Sequence, residues 1–154
     1  MMIRSAGLLL HRRVGGVLEV FIAHMGGPFW ARKDEAAWSI PKGEFDAETE
    51  EPVDAAVREF REELGVDPPE GPYDELGTWA YSSGKRVTVF AVDGAGFTAS
   101  RFLFGTFEME WPPRSGRRAE FPEIDRVEWM TLDAARPRLV KGQRPALDAL
   151  LNSV

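Results

Sequence analysis

REFREELGV, residues 58–66, stands in a segment whose apolar residues repeat with the period of an α-helix. The apolar positions follow one another at spacings of four, three and four, and they are Val53, Val57, Phe60 and Leu64. Residues at these spacings form one stripe along a helix. Pro52 suits the first helical position, and Gly65 suits the helix exit. The sequence therefore predicts an amphipathic helix over Pro52–Leu64 with its apolar stripe in the core.

Three glutamates occupy the side of this helix that faces away from the apolar stripe. Glu59, Glu62 and Glu63 lie at positions i, i+3 and i+4, so they share one helix face. Repulsion at these spacings costs a few tenths of a kcal/mol per pair, so the cluster does not stabilise the helix. A solvated acidic face is the plain interpretation of these residues alone. Divalent cations would instead turn the repulsion into chelation.

Composition limits the chemistry that this chain supports. Its 154 residues suit one domain, over residues 1–154, and they include no cysteine and only two histidines. Thiolate sites and iron–sulfur clusters are therefore excluded, and a bound metal would have oxygen ligands, as Mg²⁺ or Mn²⁺ prefers. The net charge of −6 argues against non-specific binding to duplex nucleic acid. No targeting signal or membrane-spanning run is visible, so a cytoplasmic location is the default expectation.

The rest of the sequence predicts strands on both sides of the central helix and a helical tail. A hairpin is predicted at residues 3–11 and Val17–Met25, and further strands are predicted at Asp74–Ser82 and at residues 86–93, 102–110 and 125–130. Thr131 would cap a short helix that Pro137 ends, and Pro145 would open a last helix through residue 151. This order favours an α+β fold with a mixed sheet between helices.

Further fixed positions surround the central helix. Gly43 stands in a Pro-Lys-Gly turn, Glu50 precedes Arg58 by seven intervening residues, and Gly65-Val66 closes the segment. Six positions of the segment, at about 6% each, coincide by chance about once in 10⁷ windows, and they are Glu50, Arg58, Glu59, Glu62, Glu63 and Gly65. The pattern is therefore unusual even for a charged helix.

This pattern resembles the signature of the Nudix hydrolase family, which is Gly, five residues, Glu, seven residues, then Arg-Glu-aliphatic-x-Glu-Glu-x-Gly-aliphatic. The match covers residues 43–66 with two departures. Six residues instead of five separate Gly43 from Glu50, and Phe60 replaces the aliphatic residue. Glu48 is the other candidate for the first glutamate position, but Glu50 keeps the spacing to Arg58. The resemblance implies a Nudix-like α/β/α sandwich around a mixed, mainly antiparallel sheet.

The resemblance also implies a metal-dependent hydrolase that cleaves phosphoanhydride bonds in nucleotide derivatives. Its metal ligands would be Glu59, Glu62 and Glu63, with the carbonyl group of Gly43 as an additional ligand. Arg58 would act with Glu59 and Glu62 in catalysis, and it would pair with Glu50 to hold the loop. The candidates for a general base are Glu108, Glu110, Glu120 and Glu123, and Glu120, in an expected loop, is favoured.

The substrate side is predicted from residues outside the helix. Lys42, Tyr81 and Lys85 are the candidates for contacting a small nucleotide substrate, with Phe29 and Trp30 as either stacking partners or local hydrophobic caps. WSIPKGEF (38–45) and YSSGKRVTVFAV (81–92) resemble the dinucleoside polyphosphate branch of the family. The alternatives are a housecleaning nucleoside triphosphate pyrophosphohydrolase, a non-catalytic nucleotide sensor, and an acidic scaffold for a basic partner. Because dimers are common in the family, a homodimer is among the expectations.

Overall fold

The amino-terminal hairpin forms the centre of a mixed sheet. The computed structural model describes residues 2–99 and 101–154, and seven strands of that part of the chain form the sheet. The hairpin consists of β1 (Ile3–Val14) and β2 (Val17–Met25). β1 continues three residues beyond its predicted end, because its pairing with β2 reaches Val14 opposite Val17. Gly15 and Gly16 make the turn at φ values of 58° and 82°, which favour glycine.

The remaining strands complete this sheet and form a separate hairpin. They are β3 (Trp38–Ser39), β4 (Lys42–Phe45), β5 (Asp74–Ser82), β6 (Lys85–Asp93), β7 (Thr106–Glu110), β8 (Arg118–Pro122) and β9 (Ile124–Thr131). The main order is β3-β2-β1-β6-β5, with β4 beside β1 and β9 beside β2. β1 and β6 are parallel and the other pairs are antiparallel, which confirms the predicted mixed sheet. β7 and β8 pair only with each other among the described residues.

Helices cover both faces of the sheet. α1 (Pro52–Leu64) lies on one face, and α2 (Leu132–Arg138) and α3 (Pro145–Ser153) lie on the other, with a 3₁₀ turn at Lys141–Gln143 between them. The bounds of α1 are those predicted from the sequence. Its fully buried residues differ from the predicted stripe. Phe60 and Leu64 are buried together with Ala55 and Ala56, whereas Val53 and Val57 are half-buried. The layers confirm the predicted sandwich.

Three predictions near the end of the chain need correction. The predicted strand over residues 102–110 begins only at Thr106, because the N–H groups of Leu103 and Gly105 donate to carbonyl groups in the last turn of α1. The predicted loop around Glu120 contains strand β8, which pairs with β7. Pro137 lies inside α2 instead of ending it. Proline has no N–H to donate to the carbonyl group of Asp133, but Asp133 is exposed, so water can take the place of that donor.

The capping prediction for α2 is confirmed. The hydroxyl group of Thr131 accepts a hydrogen bond from the N–H of Ala134 at 3.2 Å. α3 extends two residues beyond its predicted end, to Ser153. In the two described ranges, every helix is too short or too polar to cross a membrane.

Candidate active site

The acidic face of α1 borders a cavity of about 380 Å³. The turn between β3 and β4, the end of β2 and the start of β9 supply the other walls. Its polar lining residues include Lys42, Gly43, Glu59, Glu63 and Glu123. Two of the three glutamates predicted on α1 thus face one cavity together with both residues of the predicted Lys-Gly turn.

Glu59 packs closely against Gly43. A β-carbon on residue 43 would overlap the carboxylate group of Glu59, so only glycine fits at this position without displacing the glutamate. The side chain of Glu59 is 13% exposed. Burial raises the pKa of this carboxyl group, and the hydrogen bond from Arg58 opposes the increase.

Glu63 is the carboxyl group most strongly affected by burial. Burial raises its pKa to about 8, and the nearby charges of Glu123 and Glu59 act in the same direction. The ammonium group of Lys42 opposes the increase, and the backbone N–H of Lys42 donates to Oε2 of Glu63 at 3.3 Å. Burial therefore favours the protonated form of Glu63, and a cation in the cavity would favour the ionised form.

Arg58 connects the loop before α1 to the acidic face of the helix. Its Nε and Nη2 atoms donate to the two carboxylate oxygens of Glu50 at 2.9 and 2.8 Å. Its Nη1 donates to Glu59 at 2.9 Å and to Glu62 at 3.1 Å. The bonds to Glu50 raise the pKa of Arg58 most, and those to Glu62 and Glu59 add to the increase. The bonds between Arg58 and Glu50 also lower the pKa of Glu50. The predicted Glu50–Arg58 pair is therefore present, which favours Glu50 over Glu48 for the first glutamate position.

The donor chemistry at this face fits a hard divalent cation, since every candidate ligand is an oxygen. Glu59 and Glu63 line the cavity, whereas Glu62 is 57% exposed and is held by Arg58. Over residues 2–99 and 101–154, no three acidic or histidine side chains converge in the arrangement of a metal site. The ligand assignments made from the sequence therefore stay predictions, supported by the donor type and by the raised pKa values of Glu59 and Glu63.

Two of the predicted substrate-contacting residues lie together. The Nζ atom of Lys42 lies 5.0 Å from the centre of the Tyr81 ring, and both residues line a second cavity of about 410 Å³. The hydroxyl groups of Tyr81 and Ser5 are 3.2 Å apart, and Gly142 packs against the start of the Tyr81 side chain. Lys85, the third candidate, lies outside both cavities at the start of β6.

The structure separates two candidates for the general base, Glu120 in β8 and Glu123 just after it. Glu120 lies in β8 opposite Glu108 and does not line the cavity, whereas Glu123 does. The backbone of Glu123 is fixed on both sides, because its N–H donates to Gly105 at 2.7 Å and its carbonyl group accepts from Gly26 at 2.8 Å. The geometry therefore favours Glu123 over the predicted Glu120 as the general base.

Gln143 is a residue that sequence analysis missed. It is fully buried, its Oε1 accepts from the N–H of Ile40 at 2.7 Å, and its Nε2 donates to the hydroxyl of Ser39 at 2.9 Å. These bonds fix the backbone just before Lys42 and Gly43. A single glutamine in a helical tail gives no sequence signal for this contact, since its partner lies 103 positions away.

Comparison with known proteins identifies the fold. A family model described as a NUDIX domain matches residues 1–150. A solved structure of a C. elegans Ap4A hydrolase in a binary complex has a TM-score of 0.69 at 18% identity, covering 99% of this chain and 97% of that chain. The NUDIX domain of Shewanella oneidensis NrtR complexed with ADP ribose has a TM-score of 0.63 at 13% identity, covering 99% and 88%. The E. coli ORF135 protein has a TM-score of 0.60 at 20% identity, covering 98% and 89%. No curated protein matches the sequence.

Proposed function

This chain belongs to the Nudix family of pyrophosphohydrolases, and on that basis we propose that it cleaves a phosphoanhydride bond in a dinucleoside polyphosphate. The observation that carries this proposal is the arrangement of its two cavities. They share Met25, Ser39 and Lys42, so they form adjoining compartments. One compartment is lined by carboxyl groups, and the polar residues of the other include Tyr81, Lys141 and Gln143.

Adjoining compartments of different chemistry suit a substrate that has a phosphate chain with a nucleoside at its end. The carboxyl-lined compartment would take the phosphate chain together with its cations, and the Tyr81 compartment would take the nucleoside. The C. elegans structure, which is that of an Ap4A hydrolase, supports the same substrate class. Lys42 lies between the compartments and offers its ammonium group to the phosphate oxygens.

Members of the family use divalent cations, and we propose Mg²⁺ or Mn²⁺ here, held by Glu59, Glu62, Glu63 and the carbonyl group of Gly43. When bound, such a cation neutralises phosphate oxygens and lowers the pKa of a bound water molecule. Glu123 would accept the proton of the attacking water, since it lines the same compartment on a fixed backbone.

Arg58 has a separate role in this proposal. Its guanidinium group contacts Glu50, Glu59 and Glu62 at the same time, so it holds the loop and the acidic face of α1 in one arrangement. Charge-assisted bonds of this kind restrict the orientation of a carboxylate. Arg58 would therefore keep the ligands oriented without contacting the nucleotide.

The experiment is incubation with Mg²⁺ or Mn²⁺ and a nucleotide panel, with identification of every product. The panel contains diadenosine tetraphosphate, ADP-ribose and nucleoside triphosphates. Preferred cleavage of diadenosine tetraphosphate supports the proposal. Preferred release of pyrophosphate from a nucleoside triphosphate would indicate a housecleaning enzyme instead. Binding without cleavage in either metal would indicate a nucleotide sensor.

A further inference from the structure

His24 is fully buried at the end of β2, and both of its ring nitrogens face hydrogen-bond acceptors. Its Nε2 lies 2.7 Å from the carbonyl oxygen of Lys33, and its Nδ1 lies 2.8 Å from Oδ1 of Asp125. A carbonyl oxygen only accepts, so Nε2 carries a proton. An ionised carboxylate also only accepts, so the contact with Asp125 requires one more proton. A proton on Nδ1 would complete this second hydrogen bond, in addition to the one that Nε2 donates.

Asp125 reaches His24 from a β-bulge. In the pairing of β2 with β9, His24 lies opposite Arg126, but the next residue, Met25, lies opposite Ile124. Asp125 is therefore the extra residue of β9, with no partner in the ladder. A bulge redirects a side chain and changes the register of the residues beyond it. Here the residue beyond Ile124 is Glu123, which lines the carboxyl-lined cavity.

The loop after β2 is fixed by the same histidine. Lys33, whose carbonyl oxygen accepts the hydrogen bond from Nε2, lies in the loop that begins at Gly26. Gly26 packs so closely on the backbone of Pro122 and Glu123 that a β-carbon would overlap it, and its N–H donates to the carbonyl group of Glu123. His24 thus connects two segments that both contact the backbone of Glu123.

The other charged groups around His24 have partners of their own. The Trp38 ring packs edge-on against His24 at 5.2 Å, and its Nε1 donates to Asp34 at 2.8 Å. Asp34 also pairs with Arg138 at 3.0 Å, and the guanidinium group of Arg126 lies 5.2 Å from the Trp38 ring. Asp125 is therefore the carboxylate that contacts the imidazole ring directly.

We propose that His24 is a positioning residue that, as an imidazolium held between Lys33 and Asp125, fixes the bulge and thereby the place of Glu123. This inference rests on the proposed function, because that function gives Glu123 the role of proton acceptor. His24 contacts neither the cavity nor any candidate ligand, so its effect on turnover passes through the Asp125 bulge.

The first test counts the ring N–H groups of His24 by ¹⁵N-edited NMR of the whole chain, with His11→Gln used to assign the signals of the two histidines. The wild type is expected to show two slowly exchanging ring protons on His24 near neutral pH. Asp125→Asn is expected to show one, because the amide donates to Nδ1 of a neutral ring that still donates to Lys33. A single ring N–H proton in the wild type would show that His24 is neutral and would overturn the proposal.

The second test measures kcat and KM for diadenosine tetraphosphate with Mg²⁺. His24→Gln can donate to Lys33 or Asp125 but not to both, so kcat is expected to fall at least about tenfold with KM changed less than about twofold. The pair His24→Gln with Asp125→Asn can satisfy both contacts, and it is expected to recover most of the loss. His11→Gln, a histidine outside both cavities, is the matched control and is expected to keep wild-type turnover.

The third measurement separates positioning from general destabilisation. If His24 acts through Glu123, His24→Gln is expected to lower kcat less than about twofold in a Glu123→Gln background. An equal loss in both backgrounds, or a loss of melting temperature with unchanged kcat, would overturn the inference. A wild type that cleaves no nucleotide would overturn the proposed function, whereas an active wild type with additive losses would overturn this inference alone.

Discussion

Gly43 lies against the carboxylate of Glu59 at the place where any other residue would carry its β-carbon. Gly43→Ala is therefore expected to push Glu59 out of its position beside the cavity. A displacement of about 1 Å in a reacting group costs about 100-fold in rate, so kcat is expected to fall by about that factor. The measurement is steady-state hydrolysis with Mg²⁺, together with circular dichroism to verify the fold. Gly96→Ala is the matched control, since a β-carbon there meets open space. Equal activity of the two variants would contradict the steric argument.

Glu62→Gln tests whether the exposed glutamate of α1 takes part in the reaction. The change removes one negative charge from a side chain that contacts Arg58 and water, so the melting temperature is expected to change little. Turnover is expected to fall by orders of magnitude, since one proposed metal ligand is lost. Titration with Mn²⁺ followed by activity and calorimetry measures both effects. Near-normal turnover would remove Glu62 from the proposed ligand set.

Glu123→Gln and Glu120→Gln form a matched pair that identifies the general base. Glu123 lines the cavity, whereas Glu120 lies in the β7–β8 hairpin opposite Glu108. Loss of a general base lowers the rate about 10²- to 10⁴-fold, and that loss is expected for Glu123→Gln. Glu120→Gln is expected to stay within about twofold of the wild type. The reverse result would restore the assignment made from the sequence.

The raised pKa of Glu63 predicts how the free energy of unfolding changes with pH in the absence of divalent cations. Its pKa is raised from an ordinary 4.5 to about 8 by burial, so the folded state binds more protons than the unfolded state between these values. The free energy of unfolding is therefore expected to fall as pH rises through that range, with a contribution of up to about 1.4 kcal/mol per pH unit. Denaturant unfolding in EDTA from pH 5 to 9 measures the slope.

Glu63→Gln is the control for this slope. The variant has no carboxyl group to ionise at this position, so its unfolding free energy is expected to depend less on pH and to exceed that of the wild type above pH 8. Addition of Mg²⁺ is expected to stabilise the wild type more than the variant and to release protons near pH 7. A variant that responds to pH and Mg²⁺ as the wild type does would show that Glu63 neither titrates in this range nor binds the cation.

The sequence predicted α1 to the residue because all of its signals are local. The apolar repeat, the proline of the first turn and the glycine after the last turn all lie within fourteen consecutive residues, Pro52 to Gly65. Strand β8 was missed because five residues that end in proline carry only a weak local strand pattern, and the strand is defined by its pairing with β7. Residues 102–105 look like a strand, but hydrogen bonds to the end of α1 compete with sheet pairing.

The same distinction applies to the candidate site. Glu59, Glu62 and Glu63 could be grouped from their spacing on one helix. Glu123 could not be separated from its three neighbouring candidates, since its place depends on the Asp125 bulge and on backbone bonds to Gly26 and Gly105. Such contacts join residues far apart in the chain, and nothing in the spacing of the glutamates encodes them.

Gln143 couples the carboxyl-terminal segment to the turn between β3 and β4, so the two segments must be exchanged together. Its amide is the partner of the Ile40 N–H and the Ser39 hydroxyl, so a recombinant chimera that took residues 38–43 from one relative and the tail from another would separate them. Without Gln143, the buried N–H of Ile40 would lose its acceptor, which would lower the free energy of unfolding by about 1–3 kcal/mol. The loss would fall in the same turn as Gly43, the glycine that accommodates Glu59. In a chimera of this protein, the crossover points therefore belong outside both segments, and both segments should come from the same parent.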